Sequence, residues 1–287
     1  MVKVVFTFLL LLSFVHAQET ETIQLQENTV VEDALTTKIK SFLDTDVYEA
    51  NKEFIEIIFD PKENYYVNDR IDVVAVVKTL KENGLLKLFF DKPQKITLHF
   101  KTNGSPLFFV KLMSDSLRNI GYYRYVTIAS ARNSQEFTWS INLTTEYATD
   151  PLVLQNELDK SGCKIIDISR ASAKEWSYVV DMGDGYLNLP VLEDRKEIRL
   201  KRSLYAHWLN SSKIESLQIT SSRRNNWYPY IAYYDSSLHL LKVIKEETKK
   251  RSITLDIPKR AKYIKISDLY TLKNVKDELV LMPMGTR

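Results

Sequence analysis

The chain has 287 residues, 44% apolar and 27% charged, with a formal net charge of +3. That is an ordinary globular composition, long enough for two domains and too mildly basic to imply nucleic acid. Its one cysteine, Cys163, excludes an intrachain disulfide.

In chain order, residues 1–17 read as a secretory signal peptide. Lys3 gives a positive start, Val4 to Val15 is almost wholly apolar, and Val15-His16-Ala17 places modest side chains before a cut between Ala17 and Gln18. The apolar run is shorter than the ~20 residues of a membrane-spanning helix, and no second span follows. A cysteine-poor, Lys/Ile-rich exported chain with seven glycines points to a bacterial periplasm, or to secretion. Residues 18–50 then form an acidic, polar segment and an amphipathic helix. Its stripe is Leu35, Ile39, Phe42 and Leu43, spaced i, i+4, i+7, i+8.

Residues 51–185 carry a repeated phrase. Leu80, Leu117 and Leu158 each stand four residues before a glycine, Gly84, Gly121 and Gly162, and an apolar run with one basic residue follows each time. The reading is a helix closed by a left-handed glycine and turning into a strand. Ser105-Pro106 and Asp150-Pro151 offer an N-cap followed by proline at the first helical position, and Asn68 or Asp69 can cap the first helix. Helices are expected over 70–83, 106–120 and 151–161. Strands are expected over 54–59, 85–88, 95–101, 123–129, 137–143, 165–168 and 176–180. This is an α+β domain of αββ units, and a split β-α-β sandwich over 95–182 accounts equally well for the last two units.

From Leu187 helical phrases vanish, and Met182-Gly-Asp-Gly185 marks the junction. Seven runs alternate over 188–287: 197–201, 214–220, 228–234, 238–244, 252–257, 262–267 and 278–282. They suggest an all-β sandwich, jelly-roll-like in order. The best site candidate is the cluster Trp227, Tyr228, Tyr230, Tyr233 and Tyr234, preceded by Arg223, Arg224, Asn225 and Asn226. Strand alternation puts Tyr228, Tyr230 and Tyr234 on one face and Trp227, Ile231 and Tyr233 on the other. One face is expected to be core. The other is a candidate contact surface, since Tyr and Trp join an apolar body to a polar tip.

The element order and glycine exits of the first region resemble the periplasmic αββ and βαββ modules of secretin N-domains, ring-building motifs and POTRA domains. Such modules dock on neighbours and carry no chemistry. The run of Ile219-Thr-Ser-Ser, Trp227-Tyr-Pro-Tyr, Ile253-Thr-Leu-Asp-Ile-Pro and Ala261-Lys-Tyr-Ile-Lys-Ile resembles galactose-binding-like or discoidin domains, which implies a glycan or protein ligand.

No catalytic motif accompanies these patterns. His99, His207 and His239 lack a second His or Cys at metal-ligand spacing, and nucleophile-elbow, phosphate-loop and dinucleotide glycine patterns are missing. Cys163 follows a helix exit among isoleucines and reads as a buried thiol. The expectation is therefore a non-catalytic exported interaction or scaffold protein with no cofactor. Its partners would be envelope proteins. The alternatives are a glycan binder acting through the sandwich and a hydrolase with an unrecognised site.

Overall fold

The computed structural model describes residues 33–287. The expected signal peptide and the acidic segment over 18–30 lie outside the described residues. The helical stripe falls on α1 (Ala34–Lys40) and the turn after it. All four of its apolar side chains are buried, and the Phe42 ring stacks 6.3 Å from Trp176. Two short helices follow, α2 (Thr45–Ala50) and α3 (Lys52–Ile58). The strand expected over 54–59 is thus helical. Its apolar residues do not alternate, and Ile55 and Phe59, four apart, turn inward while Phe54 and Ile57 stay outside.

Asn68 and Asp69 do not cap a helix. Both have positive φ, 50° and 60°, and make the tight turn between β1 (Tyr66–Val67) and β2 (Arg70–Ile71). Asp72 caps α4 (Val73–Glu82) by accepting a bond from the Ala75 N–H. The chain continues through β3 (Phe89–Thr102), α5 (Pro106–Asn119), β4 (Val126–Arg132), β5 (Phe137–Tyr147), α6 (Pro151–Asp159), β6 (Lys164–Ser172) and β7 (Glu175–Asp181). Residues 85–88, expected as a strand, form a turn that buries Leu86 and Leu88, so α4 is followed by one long strand. The α-β-β order appears after α5 and α6.

The three helix exits share one geometry. Gly84, Gly121 and Gly162 have φ of 74°, 101° and 68°. Each time the N–H after the glycine donates to the carbonyl of the leucine four residues before it: Leu85 to Leu80 at 2.9 Å, Tyr122 to Leu117 at 2.8 Å, Cys163 to Leu158 at 3.1 Å. This is the Schellman closure, which needs a left-handed residue that glycine supplies without Cβ strain. The same leucines are fully buried, so one position both closes the helix and anchors it.

The five strands from β3 to β7 make one sheet in the order β4-β5-β3-β7-β6, with β3 and β7 parallel and the other pairs antiparallel. Ile96, Leu98 and Phe100 of β3, Trp139 and Ile141 of β5 and Tyr178 of β7 are buried on one face with Phe109, Leu112 and Met113 of α5. Thr97, His99 and Lys101 lie on the opposite, more open face.

Eight further strands follow: β8 (Ile198–Lys201), β9 (His207–Asn210), β10 (Ser216–Ser221), β11 (Pro229–Tyr234), β12 (Leu240–Lys245), β13 (Ser252–Asp256), β14 (Tyr263–Asp268) and β15 (Glu278–Met284). They build two antiparallel sheets, β13-β10-β15-β8 and β12-β11-β14-β9. Leu217, Ile219 and Leu281 of the first share a buried cluster with Ile231, Tyr233 and Ile266 of the second. Strand β9 has no counterpart among the expected runs, because His-Trp-Leu-Asn is too short to show a period.

Ala34–Arg287 is one compact unit. The polar side of α5 faces β9 and β14. Lys111 Nζ sits 5.1 Å from the Trp208 ring centre, Arg118 caps the Tyr205 ring at 4.5 Å, and Ser105 Oγ donates to the Ser237 carbonyl. Burial lowers the Lys111 pKa, and its ion pair with Asp115 opposes that shift. Trp208 and Tyr234 meet at 4.9 Å with their rings tilted and pack on the first region's core, which also takes in Leu238 and Tyr263. Among the described residues no helix is long and apolar enough to cross a membrane.

Candidate functional site

After Gly121 the chain leaves α5 as Tyr122-Tyr123-Arg124-Tyr125 and does not pair at once. Strand β4 joins β5 only at Val126, opposite Asn142. Strand β5 runs on to Tyr147, so Leu143 to Tyr147 has β3 on one side and no strand of β4 on the other. The gap is a groove of about 800 Å³ lined by Leu88, Phe89, Tyr123, Leu143, Tyr147 and Val153. Its rim is aromatic. Phe89 and Tyr147 pack at 5.2 Å, and Tyr123 is 68% exposed. Apolar rings in water at the mouth of a hollow are the usual signature of a contact surface.

Beside the groove lies the outer edge of β4. Every residue from Val126 to Arg132 is exposed, with Val126 at 66% and Ile128 at 49%. An edge strand offers unpaired N–H and C=O groups, and proteins normally blunt such edges with charge, proline, a bulge or a covering element. The opposite edge strand, β6, carries Lys164, Asp167 and Arg170 and is ion-paired to the first helical region. Lys38 of α1 reaches Asp167 at 2.6 Å, and Arg170 reaches Asp44 at 3.0 Å. Strand β4 has one irregularity, between Thr127 and Ala129, and one terminal charge, Arg132. Its remaining residues are small or apolar.

The charges at this end are unequal. Lys81 and Asp150 pair with each other, and Asp150 also caps α6 through the Leu152 N–H. Lys95 and Arg124 line a second, shallow hollow with Val126 and Ile128, and among the described residues neither cation has a hydrogen bond or ion pair. The site is therefore apolar, edged by free main chain and locally positive.

One other arrangement carries catalytic residue types. His99 Nδ1 lies 2.7 Å from Ser140 Oγ, and its Nε2 lies 3.1 Å from Glu175 Oε1. His99 stands on β3, Ser140 on β5 and Glu175 on β7, and none of them lines the groove. Ser140 is buried, and its strand is paired on both sides, with His99 and with Ala129. Its main chain is therefore held in the ladder on both sides. The network ties three strands together. Cys163 is fully buried, and burial, reinforced by Asp181, pushes its thiol up to about 11. Among the described residues no group of three His, Cys, Asp or Glu could hold a metal.

The aromatic cluster of the second region divides between two roles. Trp227 and Tyr233 are fully buried in its core, and Trp227 Nε1 donates to the Ser267 carbonyl at 2.9 Å. Trp227 is therefore removed from any surface. Tyr234 faces Trp208 beneath α5. Tyr228 packs edge-on against Tyr270 at 5.0 Å, and Tyr230 is half-buried near Lys245. Arg223 and Arg224 are exposed, and Arg224 pairs with Asp277 at 3.3 Å. Asn226 accepts a bond from Lys249, and its N–H donates to the Asn274 carbonyl. Trp227 and Tyr233 are thus core residues, while Arg223, Arg224 and Asn226 stand in the exposed loop before β11.

The β4 groove was not evident from sequence, although it had a signal. The expected strand over 123–129 begins later, at Val126, and runs on through Ala129-Ser130-Ala131, which supplies no large apolar residue for a core face. A strand that cannot bury anything is an edge. No family model, no curated protein and no solved structure matches this chain.

Proposed function

We propose that this chain is a non-catalytic, exported interaction protein whose partner docks at the β4 edge and the adjoining groove. The observation that carries the reading is the seven-residue strand β4, exposed along its whole length beside an aromatic-rimmed hollow, while the other edge strand, β6, is charged and ion-paired to Lys38 and Asp44. The leader-like residues 1–17 support export. The αββ order after α5 and α6 supports a role as a docking module in an envelope assembly, although fold alone does not assign function. The outer face of β11, the alternative glycan site, has Tyr234 occupied by Trp208, which weakens that reading.

The test is a photo-crosslinking residue placed singly at Tyr123, Ile128 and Tyr270 in the native cell. Tyr270 is 63% exposed in the second region and serves as the comparison. Discrete protein adducts at positions 123 and 128, with none at 270, support docking at β4. Adducts at 270 alone, or equal adducts at all three, contradict it.

A further inference from the structure

We infer that the partner presents an extended segment of alternating apolar and acidic residues, which adds to the sheet as a strand along the outer edge of β4. This rests on the reading of that edge as the docking site and names the chemistry it selects.

The free hydrogen-bonding groups of β4 are matched by another extended backbone, since a helix or a glycan does not offer donors and acceptors at strand spacing. Side chains of an added strand alternate between the two faces of the sheet. At the Val126 end such a strand passes the aromatic groove and the hollow where Lys95 and Arg124 stand without partners. Alternation of apolar and carboxylate side chains satisfies both. The carboxylate that lines the groove with Arg124, Asp150, is paired with Lys81, and Glu146 of β5 lines neither hollow.

The same charges disfavour a second copy of this chain. Parallel pairing of two β4 edges in register stacks Arg124 on Arg124. Antiparallel pairing about Ala129 brings each Arg132 opposite the other copy's Val126, two residues from its Arg124. Like charges at such positions are destabilising.

The test uses the full chain and fluorescent nine-residue peptides read by anisotropy. One alternates valine with glutamate and a second alternates valine with lysine. Two more carry the glutamate sequence with main-chain N-methyl groups on either the odd or the even residues. The glutamate peptide should bind at least tenfold more tightly than the lysine peptide. In the double variant Lys95→Glu, Arg124→Glu that preference should invert. One N-methylated peptide should lose binding at least tenfold while the other retains it, because only one edge of an added strand meets β4. Equal binding of both N-methylated peptides, or no preference between glutamate and lysine, overturns the inference. If it fails in this way while position 128 still crosslinks to a partner in cells, docking at β4 stands and only the partner's chemistry is wrong. An adduct from position 128 to a second copy, or to residues 18–32 of the same chain, also overturns the inference by assigning the edge to that occupant.

Discussion

Gly121→Ala and Gly162→Ala should differ sharply although the two glycines close equivalent helices. Both have positive φ, 101° and 68°, so alanine at either costs about 1–2 kcal/mol of backbone strain. Both substitutions also restrict the unfolded chain to the same degree, so that contribution cancels in the comparison. The surroundings are what differ. A Cβ on Gly121 meets nothing within 4 Å, whereas a Cβ on Gly162 falls 2.6 Å from the Asp184 carbonyl oxygen. That oxygen cannot move freely, because Gly185 N–H is bound to Met182 at 2.9 Å and Tyr186 N–H to Ser161 at 3.0 Å. Overpacking of this kind costs a further ~1–3 kcal/mol. At ~2–4 °C per kcal/mol for a chain of this size, Gly121→Ala should lower the melting temperature by about 2–8 °C and Gly162→Ala by several degrees more. Thermal melts followed by circular dichroism, with urea titrations in parallel, measure both. Equal losses would refute the close approach of the 182–186 connector to the third helix exit, and no loss in either would refute the left-handed closures themselves.

The connector itself should resist limited proteolysis over 183–190, since Leu187 is buried in the first core and the Pro190 carbonyl accepts the Asn210 N–H. Early cleavage there would show that the two regions separate. Tyr233→Ala should cost about 3–5 kcal/mol in a denaturant melt, as deep aromatic truncations do. Tyr233→Phe should be neutral or stabilising, because the buried hydroxyl has no partner among the described residues; a large loss in the phenylalanine variant would show that it has one. Cys163 should be inert to thiol reagents at pH 8 until the chain is unfolded. With the folded thiol near 11 and the unfolded one near the usual ~8.5, the folded state binds the extra proton between those values. Stability should therefore fall as pH rises through that interval, and Cys163→Ala should make the fall shallower. An identical pH slope in wild type and variant would exclude the thiol as a contributor.

How much of this was legible follows from where the physical signal sits. The helix exits are readable because one rare residue in one position serves both conformation and register, with a leucine four places earlier marking the anchored carbonyl. The parity of β11 is readable for a similar reason: strand alternation separates Trp227, Ile231 and Tyr233 from Tyr228, Tyr230 and Tyr234. The role of the second face is not readable, because Tyr234 packs on Trp208, which α5 reaches from more than ninety residues away in the chain, and local pattern carries nothing of that packing. The segment 54–59 misleads because its apolar residues satisfy a short strand as well as a helix turn. The β4 groove is a property of where two strands begin and end relative to one another, which depends on the pairing of Val126 with Asn142 and not on either segment alone.

The most direct test of docking at β4 compares two variants of an affinity-tagged chain expressed in its native cell. Val126→Lys with Ile128→Lys alters only exposed side chains and should leave the melting temperature within what ~0.5 kcal/mol produces. Tyr230→Ala alters the half-buried face of β11 instead. With the partner first identified by the crosslink from position 128, its recovery should be lost in the double lysine variant and kept in Tyr230→Ala. Full recovery with the lysines in place, together with loss in Tyr230→Ala, would contradict the account and move the site to the second region.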